Sequence, residues 1–313
     1  MISIVIPILN EQENLTQLKE RLIQASPLWN EGFEIILVDD GSTDKSLEIM
    51  KSFSSNDNRF RIIKLSRNFG HQAAISAGIK MAKGNAVIVM DGDLQDPPEE
   101  LPRFLKKWRE GFHVVYAIRK NRKEAWYKKI AYKVFYRLLS KISDIEIPLD
   151  SGDFCVMDRK VVDILNDKIL EQNRFVRGLR AYAGFKQIGV EYDRAERAAG
   201  QVKYTFKKLL QLALNGLFDF SAFPLRLATY LGLIVSFFSF FSGIFFLIHR
   251  IFDFKIFGHS PADVPGIASL ALGVFFLGGV TLLVLGIIGE YLGRIYFEVK
   301  KRPFYIIEDV YEN

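Results

Sequence analysis

The sequence predicts an α/β protein: an open, mostly parallel sheet with flanking helices, followed by an amphipathic segment and two transmembrane helices. Three observations carry this. Residues 1 to about 200 alternate short β-branched apolar runs with helical stretches, the pattern of parallel strands joined by crossover helices. Residues 227–248 and 265–289 contain no Lys, Arg, Asp or Glu. Hydrophobic residues make up 49% of the 313 positions and the mean hydropathy is +0.10, so a membrane portion is expected alongside the sheet.

The strands come first. ISIVIPI, EIILVDD, RIIKLS and AVIVMD are each too short for a helix and nearly continuous in apolar character, as strands buried on both faces are. Between them, residues 13–26, 42–55 and 72–82 read as helices, the second preceded by a turn at Asp40-Gly41 and good N-cap residues at Ser42, Thr43 and Asp44. In an open sheet of this kind ligands sit beyond the carboxyl ends of the strands. Asn10-Glu11, Asp39-Asp40 and Asp91-Asp93 all fall at such ends.

The apolar runs come next. The first spans 22 residues, about 33 Å as a helix, enough for a bilayer core of about 30 Å. Lys203, Lys207, Lys208 and Arg226 precede it, and Arg294, Lys300, Lys301 and Arg302 follow the second run. Between the runs Arg250 and Lys255 are balanced by Asp253 and Asp263. The positive-inside rule therefore places both termini and the α/β domain in the cytoplasm. The predicted organisation is a cytoplasmic domain (1–200), an amphipathic interfacial segment (201–226), a first span (227–249), a non-cytoplasmic loop (250–264), a second span (265–290) and a cytoplasmic tail (291–313). Gly273, Gly278, Gly279, Gly286, Gly289 and Gly293 allow close helix approach, either within one chain or in a homo-oligomer through the spans.

Several classes are set aside. The N-terminal MISIVIPILN lacks the basic leader and the long apolar core of a signal peptide. A single cysteine, Cys155, precludes an internal disulfide and suits a reducing compartment. No zinc-ligand spacing, Walker loop or G-x-G-x-x-G fingerprint is present. The net charge of +6 suits anionic lipid or phosphorylated ligands, and no nucleic-acid partner is expected.

The stretch VIVMDGDLQDPP brings Asp91, Asp93 and Asp96 to the end of a buried strand. Carboxylates this close repel one another and are costly to take out of water unless a cation answers them. Either they are solvated loop residues or they hold a metal. The short side chains of Asp91 and Asp93, separated by Gly92, suit a hard divalent cation shared with substrate phosphates. Pro97-Pro98 then stops the strand, and Glu99 and Glu100 are good first-turn residues for a helix.

IPILNEQENL, ILVDDGSTDKSLEI, LSRNFGHQAAISAGI and DGDLQDPPEELP resemble the nucleotide-sugar half of inverting, family-two glycosyltransferases of the GT-A fold. SGDFCVMDR, NRFVRG, RAERAAGQVKY, SAFPLRL and GEYLGRIYFEVKKRP extend the resemblance to polyisoprenyl-phosphate glycosyltransferases, a group that includes bactoprenol glucosyltransferases and dolichol-phosphate mannose synthases. The resemblance implies that Pro7, Asn10, Glu11 and Asp39 meet the base and ribose of a nucleotide, with Asp40 and Gly41 close by. It implies that Asp91 and Asp93 hold Mg²⁺ or Mn²⁺ against the diphosphate, with Gln95 as a further ligand. Asp153 matches the family's catalytic position, as base or as orienting group. Arg119 and Arg122 are matched to the acceptor phosphate, and Arg194, Arg197 and Lys203 to the lipid route. Relatives frequently have Ala where this chain has Gly92.

The function implied is transfer of a hexose, UDP-glucose favoured, to polyprenyl phosphate, undecaprenyl phosphate in a bacterial inner membrane. Other donors for the same lipid are GDP-mannose, UDP-N-acetylglucosamine or a modified sugar. A processive synthase would need more spans and a Q-x-x-R-W motif, whereas residues 172–175 read Gln-Asn-Arg-Phe. A non-catalytic flippase or scaffold would have no use for Asp91, Asp93 and Asp153 together, and neither apolar run holds an ionisable residue to line a polar path.

Overall fold

A computed structural model describes residues 1–119, 151–171, 174–193, 223–252 and 266–312. Arg122, Arg194, Arg197, Lys203, nearly all of the amphipathic segment and most of the inter-span loop lie outside the described residues. The chain divides into two compact units. One holds the sheet together with the C-terminal residues from Lys301, and the other holds two long helices.

The sheet unit contains β1 (Ile2–Ile8), β2 (Phe33–Asp39), β3 (Phe60–Leu65), β4 (Ala86–Val89), β5 (Val114–Arg119), β6 (Ser151–Asp158), β7 (Gln187–Tyr192) and β8 (Ile307–Tyr311). Their order in the sheet is β7-β5-β6-β4-β1-β2-β3-β8. The run β4-β1-β2-β3 is parallel, as is β5-β7. Strand β6 lies antiparallel to both β4 and β5, and β8 antiparallel to β3. The mostly parallel sheet with flanking helices that the sequence predicts is therefore the one observed.

Every residue of β1 and of β4 is buried, because helices cover both faces of the sheet. These are α1 (Leu15–Ala25), α2 (Ser46–Asn56), α3 (His71–Met81), α4 (Leu101–Arg109), α5 (Arg159–Asp167) and α6 (Val176–Tyr182). Helix α1 buries Leu15, Leu18 and Leu22 on one stripe, and α4 buries Leu101, Phe104 and Leu105. In α3 Gly78 allows close contact with the sheet: a Cβ there would stand 2.2 Å from Val5 Cγ1 and 3.1 Å from Val38 Cγ2. Helix α2 starts at Ser46, later than the Ser42 expected from its cap residues, because residues 42–46 are spent on bonds to the neighbouring loop. Asn10 N and Glu11 N donate to Ser42 Oγ and Ser46 Oγ, at 3.1 and 2.9 Å.

The C-terminal residues carry a strand that their sequence did not announce. The expected tail from 291 continues the preceding helix through Lys300 and then contributes β8 to the edge of β3. Lys64 pairs with Glu308 at 2.7 Å, Arg61 with Glu312 at 2.6 Å, and Ser66 N donates to Ile306 O at 3.0 Å. Strand β8 thus covers an apolar edge that would otherwise be open to pairing with another chain.

The second unit is α7 (Phe223–Phe252) and α8 (Gly266–Lys300), both long and apolar enough to cross a membrane. Their described large apolar side chains, Phe237, Phe240, Leu282 and Leu285 among them, are mostly exposed. A Cβ built on Gly273, Gly278, Gly279, Gly286, Gly289 or Gly293 meets nothing within 4 Å. Among the described residues, these glycines are not used for close helix contact within one chain.

Gly78→Ala should overpack the α3–β1 contact and cost about 1–3 kcal/mol, seen as a lower thermal midpoint of the detergent-solubilised protein. An unchanged midpoint would show that Val5 can step aside.

Candidate functional site

Sheet topology gathers the acids. Strands β1, β2 and β4 are parallel neighbours, so the ends of all three open on one edge. That edge receives Asn10, Asp39-Asp40 and Asp91 from successive strands. Because β6 runs the other way, with Val89 opposite Cys155, its beginning faces the same edge, and Asp153 arrives beside Asp91. Arg119 ends β5 level with Tyr192 of β7, on that edge as well.

The loops at this edge are bonded to one another. Asn10 takes a left-handed backbone, φ 55°, a conformation Asn tolerates well. Its Oδ1 accepts from Thr43 N at 2.8 Å, and Gln12 N donates to Asp44 Oδ2 at 3.2 Å. Pro7 is buried in β1, and Glu11 Oε2 accepts from Asn14 Nδ2 at 2.6 Å. Asp39 is 1% exposed and accepts from Ser42 N at 3.1 Å. Asp40 accepts from Phe69 N at 2.7 Å and from Gly70 N at 3.0 Å, so its side chain fixes the entry to α3. Burial pushes its carboxyl up, while these two N–H donors pull it back. Gly41, at φ +72°, passes so close to the neighbouring loop that a Cβ would stand 2.6 Å from Asn68 N. A side chain there would separate the two loops.

The turn after β4 is strained. Leu94 has φ 62°, a conformation that costs a bulky residue about 1–3 kcal/mol. Its side chain is buried in the main core, which holds it there. On either side of it, Gln95 N donates to Asp93 Oδ1 at 3.1 Å. Asp96 is 1% exposed and accepts from Tyr192 Oη at 2.6 Å, so the reading of it as a solvated loop residue does not hold. Gly92 lies against β1: a Cβ there would be 2.6 Å from Ile8 Cδ1. In this chain the flexible end of Ile8 occupies the room that an alanine at 92 would need.

Two residues that the sequence reading left without a role complete the centre. His71, at the first turn of α3, places Nε2 at 3.5 Å from both Asp91 Oδ1 and Asp153 Oδ2. Arg177 of α6 grips Asp153 with Nε at 3.3 Å and Nη2 at 2.9 Å. Both lie inside stretches that drew notice, FGHQ and NRFVRG, yet no local spacing tied either to an aspartate at position 153. Pairing of β6 with β4 brings Asp153 to the edge that His71 shares, and α6, tied to Gly152 through Arg180, brings Arg177 to it.

The electrostatics follow from this crowding. Burial pushes the Asp91 carboxyl up to about 6, with Asp96, Asp153 and Asp93 adding repulsion and His71 opposing them. Burial opposes a charge on His71, but contact with Asp153 and the field of Asp91 outweigh it and raise its pKa to about 9. Burial would likewise raise Asp153, but Arg177 and His71 hold it well below the usual carboxylate range. Among the described residues, no group of three or more His, Cys, Asp or Glu side chains is arranged to hold a metal ion. The donor set at the turn after β4 is two acids, Asp91 and Asp93, in a surplus of negative charge. Such a set fits a hard cation that takes its remaining ligands from phosphate oxygens and water.

Charged His71 contributes stability that is fully present below its unfolded pKa near 6.5 and is lost as pH rises through about 9. In EDTA-treated protein, His71→Gln should flatten the fall in thermal midpoint across that window. An equally steep fall would mean that His71 does not carry the charge.

Residues 3–165 match the family model for glycosyl transferase family 2. The chain is 46% identical to the Bacillus subtilis (strain 168) glycosyltransferase YkcC, over 99% of this chain and 94% of that one. It is 41% identical to the SfII prophage-derived bactoprenol glucosyl transferase of Shigella flexneri, over 98% and 97% of the two chains. Among solved structures, the mannosyltransferase PcManGT of Pyrobaculum calidifontis overlaps 70% of this chain and 63% of its own, with a TM-score of 0.48 and 14% identity. By the family match and the near-full-length relatives, the chain belongs to glycosyl transferase family 2.

Proposed function

We propose that this glycosyltransferase moves a hexose, UDP-glucose by preference, from a nucleotide sugar to polyprenyl phosphate, with inversion at the anomeric carbon. The observation that carries this is near-full-length similarity to a bactoprenol glucosyl transferase, two long apolar helices included, in a chain whose acids meet at one sheet edge. A lipid carrier keeps its tail in the bilayer, so the enzyme that loads it must work at the membrane surface.

In this reading the chain lies in the inner membrane, with the α/β domain (1–200) and both termini in the cytoplasm. The segment 201–226 lies at the interface, residues 227–249 and 265–290 span, and 250–264 face the other side. The strand ends and loops carrying Pro7, Asn10, Glu11, Asp39 and Gly41 receive base and ribose, and Asp40 keeps the loop before α3 in place for them. Asp91 and Asp93, with Gln95 beside them, are the residues that would hold Mg²⁺ or Mn²⁺, and a cation held there would offset charge developing on the departing diphosphate. Arg119, Arg122, Arg194, Arg197 and Lys203 meet the acceptor's phosphate along the lipid route. The acceptor's phosphate oxygen forms the new bond to the anomeric carbon, and the bond to the nucleoside diphosphate breaks with its electron pair.

Purified protein given undecaprenyl phosphate, Mn²⁺ and radiolabelled UDP-glucose, UDP-N-acetylglucosamine or GDP-mannose in separate reactions should yield a lipid-extractable product with UDP-glucose. EDTA should abolish it. No lipid product from any donor would contradict the proposed reaction. Asp93→Ala should lower kcat by about 10²-fold or more, the scale of losing electrostatic stabilisation of a developing charge, with an unchanged thermal midpoint. Near-normal turnover would remove Asp93 from cation binding.

A further inference from the structure

Asp153 occupies the position expected of a base or an orienting group, and the contacts around it distinguish the two. Arg177 takes it in a two-point fork, Nε to Oδ1 at 3.3 Å and Nη2 to Oδ2 at 2.9 Å. His71 Nε2 stands 3.5 Å from that same Oδ2. Three nitrogen contacts therefore converge on a carboxylate with about four acceptor positions, and the side chain is only 13% exposed. A base that collects a proton needs an uncommitted oxygen aimed at the nucleophile. Here both oxygens already carry a nitrogen contact, and at most one acceptor position of about four is left.

The grip is itself held from behind. Gln72, next to His71 in α3, accepts from Val176 N at 3.0 Å, and Val176 adjoins Arg177. Buried Arg180, one helical turn beyond Arg177, donates to Gly152 O at 3.0 Å, adjoining Asp153. Helices α3 and α6 and strand β6 thus fix one row of contacts, from Arg177 through Asp153 and His71 to Asp91.

We propose that Arg177 is a positioning residue for sugar transfer, holding Asp153 as a fixed anion that orients His71 beside Asp91 and takes no proton from the acceptor. The proposal rests on the polyprenyl-phosphate reading above. Its chemistry balances without a base. A phosphate monoester with its second pKa near 6 is largely a dianion at neutral pH, so its oxygen attacks directly and no proton moves as the new C–O bond forms and the diphosphate leaves.

The test compares Arg177→Gln, Asp153→Asn and the double variant of the full chain in detergent, with undecaprenyl phosphate and the donor that labels it. Each single change should lower kcat about 10–100-fold, as loss of a supporting contact does, while KM for the nucleotide sugar is unchanged. The double variant should match Asp153→Asn, because residues acting as one unit are not additive. Arg177→Lys should recover activity only partly, since an ammonium cannot reproduce the fork. The acid limb of kcat, near pH 6 from the acceptor's own ionisation, should persist in Asp153→Asn.

Wild-type turnover in Arg177→Gln, a double variant at least 10-fold slower than Asp153→Asn, or loss of the acid limb in Asp153→Asn would each overturn the proposal. If Arg177→Gln fails to fold because it strands a buried carboxylate, the double variant, which removes both charges, decides the matter against Asp153→Asn. A wild-type protein that labels no lipid sinks the transferase reading itself, whereas an active wild type with an indifferent Arg177 sinks only this proposal.

Discussion

Everything at this site depends on crowding of like charge at the end of a buried sheet. Asp96 and Asp153 are nearly buried while Asp91 and Asp93 beside them are half-buried, and an isolated carboxylate in the buried part would take up a proton. Each acid is instead answered differently. Asp153 is given Arg177 and His71, and Asp96 is given the Tyr192 hydroxyl. Asp91 keeps a raised pKa despite His71. The crowding of negative charge is therefore greatest around Asp91, beside Asp93.

Around this centre the fold supplies rigidity. The loop after β1 and the loop after β2 exchange backbone and side-chain bonds through Asn10, Gln12, Ser42 and Asp44. Asp40 ties that pair to the start of α3, and Gln72 ties α3 to α6. Four elements distant in sequence thus share one network, and the strain at Leu94 is borne by its packing in the core. A transferase gains from such preorganisation because charge appears on the leaving group only in the transition state, when reorganising the site would be costly.

Much of this architecture was legible in the sequence. Parallel strands betray themselves by unbroken apolar runs such as ISIVIPI, and the cluster of Asp91, Asp93 and Asp96 marks the turn after β4 locally. The meeting of Asp153 with Arg177 and Asp91 was not legible, because it depends on how α6 packs on the start of β6 and on which strand lies beside β4 and in which direction. The antiparallel course of β6, set by tertiary pairing, brings Asp153 to Asp91. Strand β8 was hidden for a related reason: IEDVY carries two acids in five residues, which reads as a solvated tail until the basic residues Arg61 and Lys64 of β3 are seen opposite it. Likewise the turn residues 42–45 read as the start of a helix, because their bonds to the Asn10 loop come from across the sheet.

The most direct test of the account is Mn²⁺ binding to the purified protein, followed by electron paramagnetic resonance with and without UDP. If the crowded negative charge at Asp91 and Asp93 organises the site around a cation, UDP should tighten Mn²⁺ binding and Mn²⁺ should equally tighten UDP binding, as linkage requires. UDP affinity that is the same in Mn²⁺ and in EDTA would show that the acids are answered from within the protein, and would contradict the central claim.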